Sequence, residues 1–578
     1  MALFKGGDFG FVGDSYQAPM TLQNAQDCIN FYLERDPHEA AKMPNALLGA
    51  PGLNPVVSTQ TGQVRGAWVL PGGQQALVVA NNTLYLVVIA TPATQTSPPT
   101  FSASAVGTLL TNSGPVVMRD NGVIQNGLGG FVLIVDGTFG YYYLIAGAPQ
   151  VASFTGSLTS GSAIITLPGN LPNGLIIANT PTLTDIGGVI PIGTTIVSVD
   201  TIGLTITMSA LASGNSFTDT ISLNIPVFGR ITDAGFLGAQ RVAFIEGWLI
   251  LNRPNTRTFY TTGPSPYSML FPGLFFALKD SSTDNLVTLY ENNRELWLIG
   301  ERTSEVWFNA GGTNFAFQRL PGVGPQIGCA AVYSISRGGA QLVWLGKNEQ
   351  GQNIVVCTNQ YSFTRISNHA VEHAITQYPV VSDAIGYCYE EEGHLFYMLI
   401  FPTADVTWAY DFVSQTWAKR LSWDPIAAVY HRHRSNCYMD FGDIRIVGDY
   451  QTGQLHQMSR AFFTDAGNPL RALRRTPPIW EKENRERVFH SQLQIEFTPG
   501  VGLQTGQGNN PQVMLRWSDD GAFTWSNEHW TTIGLAGVTK NRAMWRQLGR
   551  ARDRVYEAVI SDPVQRDIIG ATLFAEGS

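Results

Sequence analysis

Charge is scarce in this chain: 14% of its 578 residues are Asp, Glu, Lys or Arg, against about a quarter in an average soluble domain. Low charge accompanies disorder only when apolar residues are scarce as well. Here they reach 44%, with 11% aromatic, so a large packed core is expected and disorder is excluded for most of the chain. The charge that exists sums to −8, which argues against a protein that wraps nucleic acid through its net charge. Cysteine is nearly missing. Cys28, Cys329, Cys357, Cys388 and Cys437 are scattered, odd in number and form no CxxC pair, so buried free thiols are expected rather than a disulfide framework or zinc ribbon. Apolar runs of 18 residues do not occur. The best stretch, residues 76–90, is interrupted by Asn81-Asn82-Thr83 and reads as strand, turn, strand. Heptads are absent, which excludes a coiled coil. The opening MALFKGGDFGFVGD holds no apolar segment long enough for a signal peptide, and a soluble protein made in a cytoplasm is expected.

What is present is a β grammar: short apolar runs alternating with period two, bounded by Gly, Asn, Asp and Pro. Residues 64–70 give a strand, Pro71-Gly72-Gly73 a turn, and residues 76–80 a second strand. The pattern returns at residues 131–145, 241–261, 285–320, 327–366, 383–421 and 430–458. Equivalent strands recur every 40 to 50 residues or so, the period of a β-propeller blade. The reading is all-β, with a propeller-like ring of about six or seven blades over residues 64–153 and 226–461. Residues 154–225 break the pattern, being rich in Thr, Ser, Ile and Gly with almost no charge. That shift marks an inserted small β-sandwich in a loop between blades. Residues 1–63 are expected as an N-terminal arm, and residues 462–490, charged and carrying Pro477-Pro478, as a linker. Residues 491–578 form a C-terminal β domain.

Three constellations invite a chemical reading. His369-Ala370-Val371-Glu372-His373 fits the inverted zinc-protease pattern H-x-x-E-H. If Asn368 caps a short helix, His369 and His373 share one face, and the competing reading is an amphipathic connector packing Ala370, Val371, Ala374 and Ile375. Residues 518–525, SDDGAFTW, approximate the Asp-box, a structural hairpin turn using Ser518, Asp520, Gly521, Thr524 and Trp525. Ala522 stands where that motif has glycine. The aromatic group Trp408, Tyr410, Phe412, Trp417 and Trp423 resembles a sugar platform, but alternating aromatics on strands are more often the stacking layer between blades. Phosphate loops and nucleophile elbows are absent, so no catalytic residue, cofactor or metal is expected.

Residues 27–53, DCINFYLERDPHEAAKMPNALLGAPGL, resemble the opening signature of the packaged-DNA stabilisation proteins of short-tailed bacteriophages. Residues 295–312, ELWLIGERTSEVWFNAGG, resemble a blade of such proteins. PQVMLRWSDDGAFTW with residues 544–564 is similar to the C-terminal segment of related tail proteins. The resemblance implies a virion protein, the tail hub or nozzle, assembled in the host cytoplasm as a homohexamer. It would sit below the portal and its head-to-tail adaptor proteins, carry tail spikes or fibres and a plug or needle, help retain the packaged DNA, and let it pass on ejection without tight binding. Arg471, Arg474, Arg475, Arg485 and Arg487 are then expected to face neighbouring subunits or partners, since arginine suits carboxylate pairing. The rival readings are a propeller glycosidase acting on the bacterial surface and a receptor-binding fibre.

Overall fold

The computed structural model describes residues 2–7, 9–36, 44–59, 62–94, 97–122, 130–172, 174–263, 269–312, 315–481 and 486–577. Among them one helix, His369–Thr376, accompanies some fifty strands, and no helix is long and apolar enough to cross a membrane. All five cysteines are free. The chain divides into two compact units, one of residues 56–364 with 435–455, the other of residues 1–55, 365–434 and 456–578.

The first unit is a succession of antiparallel meanders in chain order. Val64–Val69, Gln75–Ala80, Thr83–Thr91 and Thr100–Thr108 form one four-stranded sheet. Others follow at residues 117–230, 242–278, 286–319 and 328–365. Central strands such as Phe131–Val135 are buried along their whole length, as expected of strands covered on both faces. The next strand follows a tight turn in which Asp136 Oδ1 accepts from the Thr138 and Phe139 amides at 3.0 and 2.7 Å.

Successive meanders share apolar layers. Leu77, Val79 and Leu84 of the first pack with Val132, Ile134 and Tyr143 of the second, and each such side chain contributes about 1.5–3 kcal/mol by leaving water. The third meets the fourth through Phe259, Leu298 and Trp307, and the fourth meets the fifth through Trp297 and Trp344. Met439, Phe441 and Ile446, on the hairpin Ser435–Phe441 and Ile444–Asp449, pack on the first. This is blade-on-blade packing, and the propeller expectation holds. Gly66 sits where the Val116 carbonyl of the second meander comes close enough to exclude any Cβ.

The inserted segment differs from its expected form. It lies within the second blade, between the strands Gly140–Leu144 and Phe228–Arg230, not in a loop between blades. Gln150–Leu158, Ile164–Thr166, Thr182–Asp185, Ile196–Asp200, Thr205–Met208 and Ser216–Ile225 follow one hydrogen-bonded order of six strands. Its interior side chains Leu183, Ile206, Ile221 and Leu223 belong to the same core as Leu133, Leu249 and Tyr260 of the blades. The insert and its host blades thus share one continuous apolar core.

The second unit packs two sheets face to face. One runs Ile385–Glu391, His394–Phe401, Val406–Asp411, Thr416–Lys419, Asp27–Ile29, Ala472–Arg475, Asp553–Ile560, Gln512–Ser518, His529–Thr532. The other runs Phe31–Arg35, Asn45–Gly49, Ile568–Gly577, Val488–Phe497, Ala543–Ala551, with Ala2–Gly7 on Ile568–Gly577. Between them lie Phe11, Phe31, Leu47, Leu493, Val513, Tyr556 and Leu573. Three expectations change here. The meander over residues 385–419 has the blade pattern, yet its last strand pairs onward with Ile29. The N-terminal residues are not an arm, because Asp27–Ile29 and Phe31–Arg35 are strands of the two sheets. The charged stretch is not a linker, because Ala472–Arg475 is an interior strand between Asp27–Ile29 and Asp553–Ile560.

Candidate functional site

The arginines expected at subunit contacts are mostly consumed inside their own chain. Arg474 is completely buried. Its guanidinium donates to the carbonyl oxygens of Phe11 at 2.7 Å, Asp14 at 3.0 Å and Gly10 at 3.4 Å, and burial pulls its pKa below the usual arginine range. Arg475 donates to Glu557 Oε2 at 2.7 Å and Arg516 to Glu557 Oε1 at 2.7 Å, with the carboxylate fully buried between them. The Trp525 ring lies against both guanidinium groups, its centroid 5.0 and 4.6 Å from their central carbons. Arg471 stacks on Trp423 at 4.3 Å and donates to the Tyr430 hydroxyl at 3.1 Å. Arg474 is therefore no interface residue, and Arg475 and Arg471 are held by internal partners. Arg487 is exposed. Arg485 lies outside the described residues.

Residues 518–525 form the Asp-box-like turn. Ser518 Oγ donates to Asp520 Oδ1 at 2.7 Å and accepts from the Ala522 amide at 2.8 Å. Asp520 in turn accepts from the Thr524 hydroxyl at 2.5 Å and the Thr524 amide at 2.9 Å. These bonds, the Thr524 hydroxyl foremost, hold the Asp520 carboxyl down to about 2. Gly521 and Ala522 both take φ of +74°, so the displaced glycine still serves a left-handed position and the alanine bears the second one. The carboxylate is spent on turn geometry, and Trp525 lies on the paired arginines.

His369–Thr376 is helical, and Asn368 caps it by accepting from the Val371 amide at 3.0 Å. The two imidazoles stack at 6.4 Å. Glu372 does not join them: Arg365 grips it through both oxygens, and the Ser367 hydroxyl donates to it at 2.6 Å. Among the described residues no group of three or more His, Cys, Asp or Glu is arranged to hold a metal. Changing both His369 and His373 to Gln is expected to leave the melting temperature and bound metal of the purified protein unchanged. Stoichiometric zinc lost in the double variant would count against this. Of the aromatic group, Trp408, Tyr410 and Trp417 are buried and pack mutually, Trp408 with Trp417 at 6.4 Å and Tyr410 with Trp417 at 5.1 Å, which makes them core.

Two features carried no sequence signal. His394 is buried, with Nδ1 2.8 Å from Asp411 and Nε2 2.5 Å from Glu34, so the imidazolium form donates to a carboxylate on each side. The Asp411 bond, followed by that to Glu34, raises its pKa above the ordinary value. For Asp411, burial acts upward but the bonds from His394, Ser414 and Val413 outweigh it, and the net shift is down. A raised histidine stabilises fully below its unfolded pKa, about 6.5, and the contribution is lost as pH rises through the folded value. The lowered Asp411 stabilises above its unfolded pKa and loses this as pH falls through its folded value. His394→Gln is therefore expected to destabilise most between about pH 5 and 6.5 and progressively less above. A wild-type-minus-variant difference that grows with pH, measured by urea denaturation, would contradict it. The second feature is a cleft of about 300 Å3 beside Gly49, Phe463, Gln565 and Arg566. Arg460 bridges Glu392 and Asp567 there, the latter at 2.9 Å. Glu34 and His394 are 360 residues apart, and no spacing rule joins residues so distant.

A family model described as bacteriophage P22 Gp10, β-propeller, matches residues 209–462. A second, described as bacteriophage P22 Gp10, β-sandwich, matches residues 474–576. Together they cover well over half of the chain, in the order of its own two kinds of sheet packing. No curated protein matches the sequence. Overlays on solved structures are loose. PorZ, a bacterial surface component of the type-IX secretion system of Porphyromonas gingivalis, shares 9% identity over 83% of this chain and 46% of its own, with a TM-score of 0.31. This chain thus spans less than half the length of PorZ. Saccharomyces cerevisiae Sqt1 shares 10% over 71% of this chain and 99% of its own, at 0.30. Kluyveromyces lactis Hsv2 shares 8% over 64% and 96%, at 0.24.

Proposed function

The chain belongs to the family of bacteriophage P22 Gp10, which stabilises packaged DNA, and is a structural protein of a phage tail; from that premise we propose that it is the tail's hub. Six copies surround the channel below the adaptor ring, carry the spikes or fibres and the terminal plug, and become the conduit on ejection. The observation that carries the reading is the ordered match of propeller and sandwich models over residues 209–462 and 474–576. Assembly takes place in the host cytoplasm, and the protein performs no turnover. Asp520 and Glu372, the carboxylates the sequence singled out, are both committed to neighbouring donors.

Charge supports a conduit that does not grip its cargo. Six copies at −8 each carry −48, and of the arginines that would make a phosphate clamp, Arg471 is stacked, Arg474 buried and Arg475 ion-paired. A basic lining would release counterions and brake the duplex. An acidic or neutral one repels it modestly, within about 8 Å at physiological salt. Sedimentation of the purified chain with and without duplex DNA at about 0.15 M salt tests both parts. The expected result is a closed ring of six that leaves the DNA free. A monomer at every concentration would remove the hub. Sub-micromolar DNA affinity abolished by neutralising Arg471, Arg475 and Arg487 would turn the arginine cluster into a clamp.

A further inference from the structure

In the cleft beside Gly49 a buried cation borders open volume without an anion of its own. Arg566 is 1% exposed, yet it lines about 300 Å3 of space. It reaches that position because Gly49 has no side chain: a Cβ there would meet the Arg566 Cγ at 2.9 Å. Its Nη1 donates to the Leu470 carbonyl and its Nη2 to that of Phe463 at 3.1 Å, which leaves Nε–H without an acceptor. Among the described residues no carboxylate forms an ion pair with it. Burial pulls its pKa down to about 10, as happens to a cation that water no longer solvates.

The other charges around the cleft are committed to one another. Asp567 accepts from the Gly49 amide at 2.7 Å, from Gln565 Nε2 at 2.6 Å and from Arg460 at 2.9 Å. Arg460 also grips Glu392, whose side chain is 53% exposed and therefore screened by water. The buried charges are thus two guanidinium groups and one carboxylate, a surplus of one positive. A buried charge without a partner is costly, and an anion entering the cleft removes that cost. We infer that this cleft is a binding site for a carboxylate carried on a small apolar body, which accepts a charge-assisted hydrogen bond from Arg566 Nε.

Volume and lining choose among anions. The cleft is as large as the smaller small-molecule pockets, and a bare ion would leave most of it empty. Phe463, Ala50 and Ala461 line it with phenyl and methyl groups, which suit an aliphatic or aromatic body. One surplus positive charge matches a monoanion, whereas a phosphate dianion would leave a negative charge uncovered beside Asp567 and Glu392. The carboxylate can belong to a free acid or to an acidic side chain of a second copy, since both offer the same oxygens to the same N–H.

The test is calorimetric titration of the full chain with butyrate at constant ionic strength, with chloride in the blank. Saturable binding is expected, and inorganic phosphate should bind more weakly than butyrate. Arg566→Met is expected to weaken butyrate at least roughly tenfold, the equivalent of one hydrogen bond to a charged group. That variant also strips two carbonyl oxygens of their donor, so Ala461→Trp carries the comparison if it melts early. Ala461 is exposed at the cleft, and an indole there should fill the space and abolish butyrate binding while the melting curve overlies that of the wild type. Absence of saturable butyrate binding by the wild type overturns the inference. Binding that Ala461→Trp retains overturns it too, as does phosphate that binds as tightly as butyrate. Sedimentation at saturating butyrate separates the two sources: copies that come apart place a neighbour's acidic side chain in the cleft, and an unchanged state assigns the cleft to a free acid.

Discussion

Glu557→Leu is expected to lower the stability of the sandwich-containing unit by about 3–5 kcal/mol, the usual cost of removing one partner from a buried ion pair. Glu557 lies on the strand Asp553–Ile560 between Ala472–Arg475 and Gln512–Ser518, and it neutralises one arginine from each neighbour. Without it two guanidinium groups face each other across that strand. The loss should appear as a lower urea midpoint in the transition followed by tryptophan fluorescence, because Trp525 lies on both arginines. Adding Arg475→Met and Arg516→Met should restore much of the lost stability, since an apolar cluster of similar volume replaces charges that no longer need a partner. An unchanged midpoint for Glu557→Leu alone would falsify the claim that this carboxylate holds the sheet.

Arg474→Leu should cost a comparable amount, about 3 kcal/mol or more, by a different route. Three carbonyl oxygens, those of Gly10, Phe11 and Asp14, accept from one guanidinium. Each buried acceptor left without a donor costs about 1–3 kcal/mol. The local consequence is specific: residues 9–18 should become cleavable under limited proteolysis while the propeller blades stay resistant. Arg474→Lys should rescue little, because an ammonium on a single stem cannot span three acceptors set by a planar fork. Equal protease resistance in Arg474→Leu would show that the N-terminal segment is held by Phe9 and Phe11 packing alone.

The blades were legible because every device that makes them is local. Alternating strands such as Leu286–Asn292 and Glu295–Gly300 meet across a tight turn at Asn293 and Arg294, both with positive φ. The helix at His369 was legible for the same reason, its cap and apolar face lying within eight residues. The inserted segment betrayed itself by composition. Its place inside a blade did not, since Phe228–Arg230 is three residues long and returns to Gly140–Leu144 across the whole insertion. The strand Ala472–Arg475 was hidden by its own arginines. Two cations in four residues read as solvent-facing, and only Glu557 and the Phe11 carbonyl, distant in sequence, make them compatible with an interior strand. The same holds for His394, whose second carboxylate, Glu34, lies 360 residues away. Local periodicity reports which face is apolar, not which distant group will neutralise a buried charge.

The long separation within the second unit also sets an order of events during synthesis. Asn30 donates to the Leu421 and Arg471 carbonyls, the latter 441 residues downstream. At about 5–20 residues per second, the strand Asp27–Ile29 emerges roughly 20 to 90 s before its antiparallel partner Ala472–Arg475 leaves the ribosome, whereas Phe31–Arg35 meets its partner Asn45–Gly49 at once. In that interval residues 56–364 are completed, with most of the blade layers already able to close on neighbours a few tens of residues away. Asp27–Ile29 meanwhile lacks both its neighbours, Thr416–Lys419 and Ala472–Arg475, and an unpaired strand edge is the kind of surface that recruits other chains. The unit is thus sealed only when its last hundred residues or so arrive, and a ribosome that stalls before residue 472 releases a chain whose strand Asp27–Ile29 lacks its antiparallel neighbour.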